Sequence, residues 1–329
     1  MRLDRVDRKL VNVMQSGFPL VAEPFRALAG KLDISQDETI ERVRALKGQG
    51  IVRRIGGVFD SSKLGYHSTL GAMHLAGPRL DEAAAVVSQH PGVSHNYARD
   101  HYYNLWFTLS LPRDRSLADA IAALSAQAGA EATINLPAVA VFKIGVFFDL
   151  LGDDGQEPAW DQKPIPVAST QRALSELERS IVRELQGDLP VAEGPFGEMA
   201  GRLGLAVGDL LAKVQSFEAE GIMRRYGASL RHRLAGFVAN AMACWTVASD
   251  VEKAGHRAAS YRQVSHCYQR QTASGWPYNL FAMIHGRDRE ECEAVAEDIS
   301  IDIGNHDHVL LFSGKEYKKE PVQYFTEAG

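Results

Sequence analysis

Apolar residues recur at helical spacing from the start of the chain, with Leu3, Val6, Leu10, Val13 and Met14 behind an Asp4 suited to cap the first turn. A break at Gly17-Phe18-Pro19 leads into a short second helix around Phe25–Leu32. Ser35 is placed to cap a third, whose Ile40, Val43 and Leu46 share one face before Gly48 and Gly50 end it. Alternation then replaces the helical period, and Ile51–Phe59 reads as a two-stranded ribbon turning at Gly56-Gly57. Three short helices and a ribbon predict a winged helix-turn-helix. Beyond it, strands at Tyr66–Leu75, Val93–Arg99, Asn104–Leu111 and Ala138–Asp149 alternate with helices near Asp81–Gln89 and at Leu117–Ala128. That βαββαβ order predicts a ferredoxin-like sandwich with one sheet face available.

The whole unit occurs twice. An offset of 171 residues lays Gly50-Ile-Val-Arg-Arg-Ile-Gly56 over Gly221-Ile-Met-Arg-Arg-Tyr-Gly227, and Val93-Ser-His-Asn-Tyr-Ala-Arg99 over Val264-Ser-His-Cys-Tyr-Gln-Arg270. A four-residue insertion around Ala273 to Trp276 then changes the offset to 175, where Asn104-Leu105 meets Asn279-Leu280. The fold class is therefore α+β, a tandem duplication of a winged helix-turn-helix followed by a ferredoxin-like domain. The boundaries fall at 1–63 and 64–151 for the first copy and at 169–234 and 235–315 for the second. A Gly-, Pro- and acid-rich linker at 152–168 joins them, and a polar tail covers 316–329. Sheet-to-sheet pairing of the two ferredoxin-like domains within one chain is open to a linker that spans up to roughly 50 Å. Pairing between chains, which would give a homodimer, is equally open.

Composition narrows the class. Of 329 residues, 36 are Lys or Arg and 41 are Asp or Glu, for a net charge of −5. No apolar run reaches the length of a membrane span, and the first residues lack the apolar centre of a secretory signal. The three cysteines, Cys244, Cys267 and Cys292, are too few and too scattered for a disulfide framework or a Cys-x-x-Cys metal site. The expectation is a cytoplasmic protein with no membrane. Nor does nucleic acid suit it as a partner: the first reader segment, 33–50, carries four acids against three bases, and the second is largely apolar.

Candidate chemistry gathers on one strand of each copy. His95, Tyr97, Arg99 and His101 stand two apart and so share a sheet face, and the second copy repeats His266, Tyr268 and Arg270 with Thr272 in place of the last histidine. A face carrying His-Tyr-Arg twice is a poor core and a good wall for anions. His67 and His74 fall on opposite faces of their strand and are expected to be structural. No phosphate loop, dinucleotide fingerprint, Ser-His-Asp signature or metal-ligand spacing is present, so no separate cofactor is indicated.

The layout resembles that of the Lrp/AsnC regulators. The segments His95–Thr108, His266–Arg270 and Trp276–Gly286 resemble more sharply the two subunit types of the sirohaem decarboxylases, an enzyme branch built on that layout. The resemblance covers almost the whole chain and implies a natural fusion of the two subunits, the NirDL kind associated with haem d1 biosynthesis; relatives with separate subunits serve an alternative haem route. It implies a carboxy-lyase that removes carbon dioxide from two acetates of sirohaem to give 12,18-didecarboxysirohaem, the iron arriving inside the substrate. A histidine ligand to that iron is open and unassigned.

Sirohaem carries eight carboxylates, so guanidinium forks and a flat apolar slot suit it. On this reading Arg99 and Arg270, then Arg53, Arg54, Arg224 and Arg225, meet carboxylates, while Trp106, Phe107 and Phe281 supply apolar contact. Asn104, Asn279, His266, Tyr268 and His285 complete the expected substrate contacts. His95 or His101 would donate the proton, Tyr97 assist and Arg99 position a carboxylate. Two other readings use the same residues: an Lrp/AsnC-type transcription regulator, and a tetrapyrrole sensor or carrier without turnover.

Overall fold

A computed structural model describes residues 3–145, 150–151, 165–166, 172–230 and 239–326. The first copy runs α1 (Arg5–Ser16), α2 (Pro24–Leu32), α3 (Gln36–Gly48), β1 (Val52–Phe59), β2 (Tyr66–His74), α4 (Leu80–Gln89), β3 (Val93–Arg99), β4 (Leu105–Pro112), α5 (Leu117–Ala128) and β5 (Ala132–Ile144). After a two-residue β6 (Ile165–Pro166), the second copy follows. Its elements are α6 (Glu176–Leu185), α7 (Phe196–Arg202), α8 (Val207–Ala219), β7 (Met223–Leu230), β8 (Ala239–Trp245), α9 (Val251–Ser260), β9 (Val264–Arg270), β10 (Leu280–Gly286), α10 (Arg289–Ile303) and β11 (His308–Lys319).

The expected caps are present: Asp4 and Asp7 close a capping box on α1, and Ser35 Oγ accepts the Glu38 amide at 3.1 Å. The expected ribbon is not. Residues 52–59 form one unbroken strand, and its antiparallel partner is β7 of the second copy, with Gly56 opposite Gly227. The glycines expected to make a turn instead allow a close crossing. A Cβ on Gly227 would stand 2.5 Å from the Met14 carbonyl oxygen, and one on Gly56 would collide with the Gly187 carbonyl. The two helix-turn-helix units thus share one wing and one core, in which Leu10, Met14, Val43 and Ile55 pack in a cluster with Ile181, Leu185, Val214 and Tyr226.

The ferredoxin-like domains also merge, and the pairing lies within the chain. The first half of β5 pairs with β2, and its second half crosses to β9, from Ala138 opposite Arg270 to Ile144 opposite His266. β11 does the reverse, leaving β8 to run beside β3 from Ser313 opposite Arg99 to Lys319 opposite His95. The strand order β2-β4-β3-β11-β8-β10-β9-β5 returns to β2, closing eight antiparallel strands into a barrel. Outside it, α4 and α5 cover one half and α9 and α10 the other, over separate apolar clusters. Inside, one end is filled by Trp106, Trp276, Leu136, Leu311, Met242 and Phe281.

Two boundaries move for this reason. β5 begins at Ala132 rather than Ala138, because its first six residues complete its own sheet. The stretch expected to be a polar tail contributes Glu316–Lys319 to β11 and then crosses to the helical body. There Tyr324 is buried beside Phe59 and Tyr66, and the Gln186 amide pairs with the Tyr324 backbone in both directions, at 2.9 and 3.1 Å. The expected linker lies outside the described residues except for Ile165–Pro166, which pairs with Val141 and Ala140.

Candidate active site

A cavity of about 860 Å³ lies between the inner face of the barrel and the β1–β7 ribbon. Strand alternation delivers both predicted stripes to it. His95, Tyr97 and Arg99 come from β3, and His266, Tyr268 and Arg270 from β9. At the start of each strand the register jumps, from Val93 to His95 against β4 and from Val264 to His266 against β10. The bulged residue is a serine in both copies, and the kink turns its hydroxyl onto the next ring. Ser94 Oγ lies 3.0 Å from His95 Nδ1, and Ser265 Oγ lies 2.9 Å from His266 Nδ1. Both imidazoles therefore have Nδ1 engaged and Nε2 left for the cavity.

The charge around them is one-sided. Eight basic residues (Arg53, Arg54, Arg99, Lys143, Arg224, Arg225, Arg270 and Lys319) line the cavity against three acids, Asp60, Glu218 and Glu320. Burial, then the neighbouring His266, Lys319 and Arg53, pushes His95 down to about 3. Burial, then Lys319 and Lys143, pushes His266 down to about 4. Both rings are neutral at pH 7 in the ligand-free protein. Burial raises the Tyr97 and Tyr268 phenols, so both stay protonated donors.

Arg99 and Arg270 are the buried cations. Each reaches across the seam to the other copy: Arg99 Nη1 donates to the Leu311 carbonyl (2.6 Å) and to Ser313 Oγ (3.2 Å), and Arg270 Nη1 donates to the Leu136 carbonyl (3.0 Å). Neither has a carboxylate partner among the described residues, and the Nε of each is buried without a hydrogen bond. Burial draws Arg99 down to about 10 and lowers Arg270 as well. Each guanidinium packs near the ring of its own stripe, Arg99 at 5.9 Å from Tyr97 and Arg270 at 4.7 Å from Tyr268. Such a charge, held dry against neutral partners, gains from any anion brought against it.

The ribbon arginines line the cavity with differing commitments. Arg224 is bridged to Asp60 at 2.7 Å, Arg225 donates to the Gln15 carbonyl at 2.9 Å, Arg54 donates to the Gln186 carbonyl, and Arg53 donates to the Lys319 carbonyl. Trp106, Phe107 and Phe281 reach the cavity, and so does His285. His285 Nε2 lies 2.8 Å from Ser265 Oγ.

Three predicted residues do not line the cavity. β3 ends at Arg99, so the alternation that would carry His101 inward stops one residue too early; its Nδ1 accepts the Tyr103 amide and its ring stands edge-on to Trp276. Asn104 spans to Leu75 with two hydrogen bonds of 2.8 and 3.0 Å, and Asn279 repeats the clasp on Val247 at 2.8 and 2.9 Å. Their repetition reflects the duplicated scaffold. His67 and His74 bond main-chain carbonyls outside the cavity. Sequence reasoning missed Ser94 and Ser265, although the repeated Ser-His pair was visible, and it missed Lys319 and Tyr324, which only the tail's return brings to the cavity.

Similarity to known proteins follows the same lines. A family described as an AsnC-like ligand binding domain matches residues 63–143 and 234–318, and one described as a siroheme decarboxylase NirDL-like HTH domain matches 7–53 and 178–224. A siroheme decarboxylase of Hydrogenobacter thermophilus is 40% identical over 97% of this chain and 95% of its own length. The siroheme decarboxylase NirDL subunit of Paracoccus denitrificans is 32% identical over 97% of each. The alpha and beta subunits of the Desulfovibrio desulfuricans enzyme are 42% and 37% identical, each over 151 residues. A crystal structure of the siroheme decarboxylase NirDL superposes with a TM-score of 0.76 at 36% identity, covering 98% of this chain and 96% of that one. A second, in co-complex with an iron-uroporphyrin III analogue, gives 0.75 at 35%, with the same coverage. With its duplicated domains, its shared barrel and near-complete similarity to both, this chain belongs to the sirohaem decarboxylase family, in the fused NirDL form.

Proposed function

We propose that the chain is a carboxy-lyase that takes two acetates of sirohaem to methyl groups, giving 12,18-didecarboxysirohaem for haem d1 or an alternative haem route. Each event is R–CH2–COO− + H+ → R–CH3 + CO2. It consumes one proton and no electrons, so it calls for no separate cofactor; the iron belongs to the substrate. The observation that carries the reading is the pair of buried arginines, without a carboxylate partner among the described residues, each on a strand with a neutral histidine, on opposite sides of the barrel around one cavity.

Roles follow from charge. Arg99 and Arg270, with the ribbon arginines, hold carboxylates that are to stay, because a carboxylate clamped by a guanidinium resists leaving. The reacting acetate meets Trp106, Phe281, Met242 and Met283, where lost hydration favours release of neutral carbon dioxide. His95 and His266 protonate the carbon left behind, one in each half of the cavity, with Tyr97 and Tyr268 beside them. Their low values come from burial and from the basic residues around them. Eight bound carboxylates reverse the local field, so the substrate itself lets an imidazole at the cavity wall carry the proton that the reaction consumes.

Other features fit this assignment. Arg42 is tied to Asp4, Asp7 and Glu38, Arg44 to the Val191 carbonyl, Lys47 to Asp188, and Lys213 to Glu178, so the bases on α3 and α8 are engaged within the chain rather than presented to a phosphate backbone. The cavity is walled from both copies of one chain and needs no second one. The three cysteines are free and buried, which suits a reducing cytoplasm, and among the described residues no helix is long and apolar enough to cross a membrane.

The test is anaerobic incubation with sirohaem, followed by mass spectrometry of the tetrapyrrole. Stepwise, protein-dependent loss of two carbon dioxide units is the expected result. Tight binding with unchanged mass would mean a sensor or carrier, and no binding would overturn the tetrapyrrole reading.

A further inference from the structure

The two halves of the cavity are copies, yet the second lines it with two imidazoles that the first lacks, His256 on α9 and His285 on β10. His285 lies two residues beyond Met283 on β10, so both project from one face, and both line the cavity. At the 175-residue offset the first copy has Ser110 on β4, also at the cavity wall. The bulge at Ser265 lets one hydroxyl touch two rings: Oγ lies 2.9 Å from His266 Nδ1 and 2.8 Å from His285 Nε2. Its approach to the Met283 carbonyl is longer, 3.4 Å. In the first half, Ser94 Oγ lies 3.0 Å from His95 Nδ1, and no second ring meets it among the described residues.

We propose that His285 is the proton store of the second half-site, positioning and recharging His266 through Ser265, so that the two decarboxylations draw their protons by different routes. The inference rests on the decarboxylase reading above. A hydroxyl offers one proton and two lone pairs. Ser265 therefore donates to His266 Nδ1 and accepts from His285 Nε2, which fixes the proton of His266 on Nε2, facing the substrate. His285 begins the step as an imidazolium, balanced by substrate carboxylates.

When carbon dioxide leaves, the Nε2 proton of His266 forms the new C–H bond. His266 Nδ1 takes the Ser265 proton, and Ser265 takes one from His285, which ends neutral. After product release, a solvent proton taken up at His266 Nε2 drives the chain backwards and recharges His285. One proton is consumed per carbon dioxide, as the stoichiometry requires. In the first half-site no ring among the described residues stands behind Ser94 in this way, and His95 is recharged from the cavity directly.

The experiment is single-turnover decarboxylation of sirohaem by the full chain, without oxygen, with mass spectrometry resolving substrate, monodecarboxylated intermediate and product. His285→Ser gives the second half-site the arrangement of the first, and Ser265→Ala cuts the same chain at another link. Both variants are expected to slow one of the two steps by about 10- to 100-fold, the usual cost of losing an imidazole's outer partner. The ratio of the two rate constants should shift, with the intermediate accumulating if the later step is the one slowed and vanishing if it is the earlier; sirohaem affinity should stay within about twofold, and added imidazole should restore part of the H285S rate. Wild-type rates for both steps in H285S would overturn the proposal. So would an equal slowing of both steps with weakened binding and no rescue, the outcome of a merely structural role. A wild-type chain that releases no carbon dioxide overturns the decarboxylase reading itself, a result distinct from an active wild type that H285S matches.

Discussion

Replacing Arg99 by Met should leave the ligand-free protein intact, or make it more stable, while crippling its hold on sirohaem. Burial moves the guanidinium from 12.5 to about 10. At about 1.4 kcal/mol for each pKa unit, keeping the charge in that wall costs roughly 3 kcal/mol. Its hydrogen bonds to Leu311 and Ser313 return about 1.5–3 kcal/mol, the range for a charged donor. The two nearly cancel, so an apolar side chain of similar length should shift free stability by no more than about 1 kcal/mol, in the stabilising direction if either. Binding is different, because a substrate carboxylate would lose a desolvated partner. That loss is about 2–5 kcal/mol, or from about 30-fold to a few thousand-fold in Kd. Denaturant unfolding of the ligand-free R99M protein and an absorbance titration with sirohaem measure the two quantities separately. A variant that loses more than about 3 kcal/mol of stability yet binds sirohaem normally would show that Arg99 is a strut for β11, and the anion-site argument would fall.

Four further outcomes are expected. His95 and His266 are held neutral by burial, their values lowered from 6.5 to about 3 and about 4. The unfolded chain therefore takes up protons first as pH falls, so the ligand-free protein should lose stability from about pH 6.5 towards pH 4, and a H95Q/H266Q double variant should flatten that slope in denaturation midpoints. Gly56→Ala drives a Cβ into the Gly187 carbonyl and should cost about 1–3 kcal/mol by separating the shared wing from the helices, read by thermal unfolding. Asn104→Ala and Asn279→Ala each remove two clasp bonds and should cost about 1–3 kcal/mol while leaving kcat of the folded fraction unchanged. His101→Ala should likewise keep full turnover; a loss would put that ring back at the chemistry.

Much of the site was legible in one dimension because strand alternation is local. His95, Tyr97 and Arg99 share a face for the same backbone reason in any sheet, and the duplicated stripe marked that face as one that apolar packing would not explain. The reading failed where it ran past the strand's end. His101 continues the two-residue rhythm on paper, yet the chain turns after Arg99, and the period stops meaning a direction in space. Asn104 and Asn279 looked like ligand contacts because they recur, but recurrence in a duplicated chain marks scaffold as readily as site.

The amino-acid order alone thus settled the helices, most of the strands and the caps at Asp4 and Ser35, since each depends on residues a few positions apart, and the doubling of the unit from its repeat. Tertiary structure alone decided who pairs with whom. Residues 52–59 can be half of a hairpin or half of a ribbon with any suitable strand, and only the competition among all strand edges selects Met223–Leu230. The same holds for β5 and β11, whose second halves leave their own sheets to seal a barrel. Backbone hydrogen bonds carry no address, so an edge strand takes the partner that buries most apolar surface, and that surface is built from residues more than a hundred positions away.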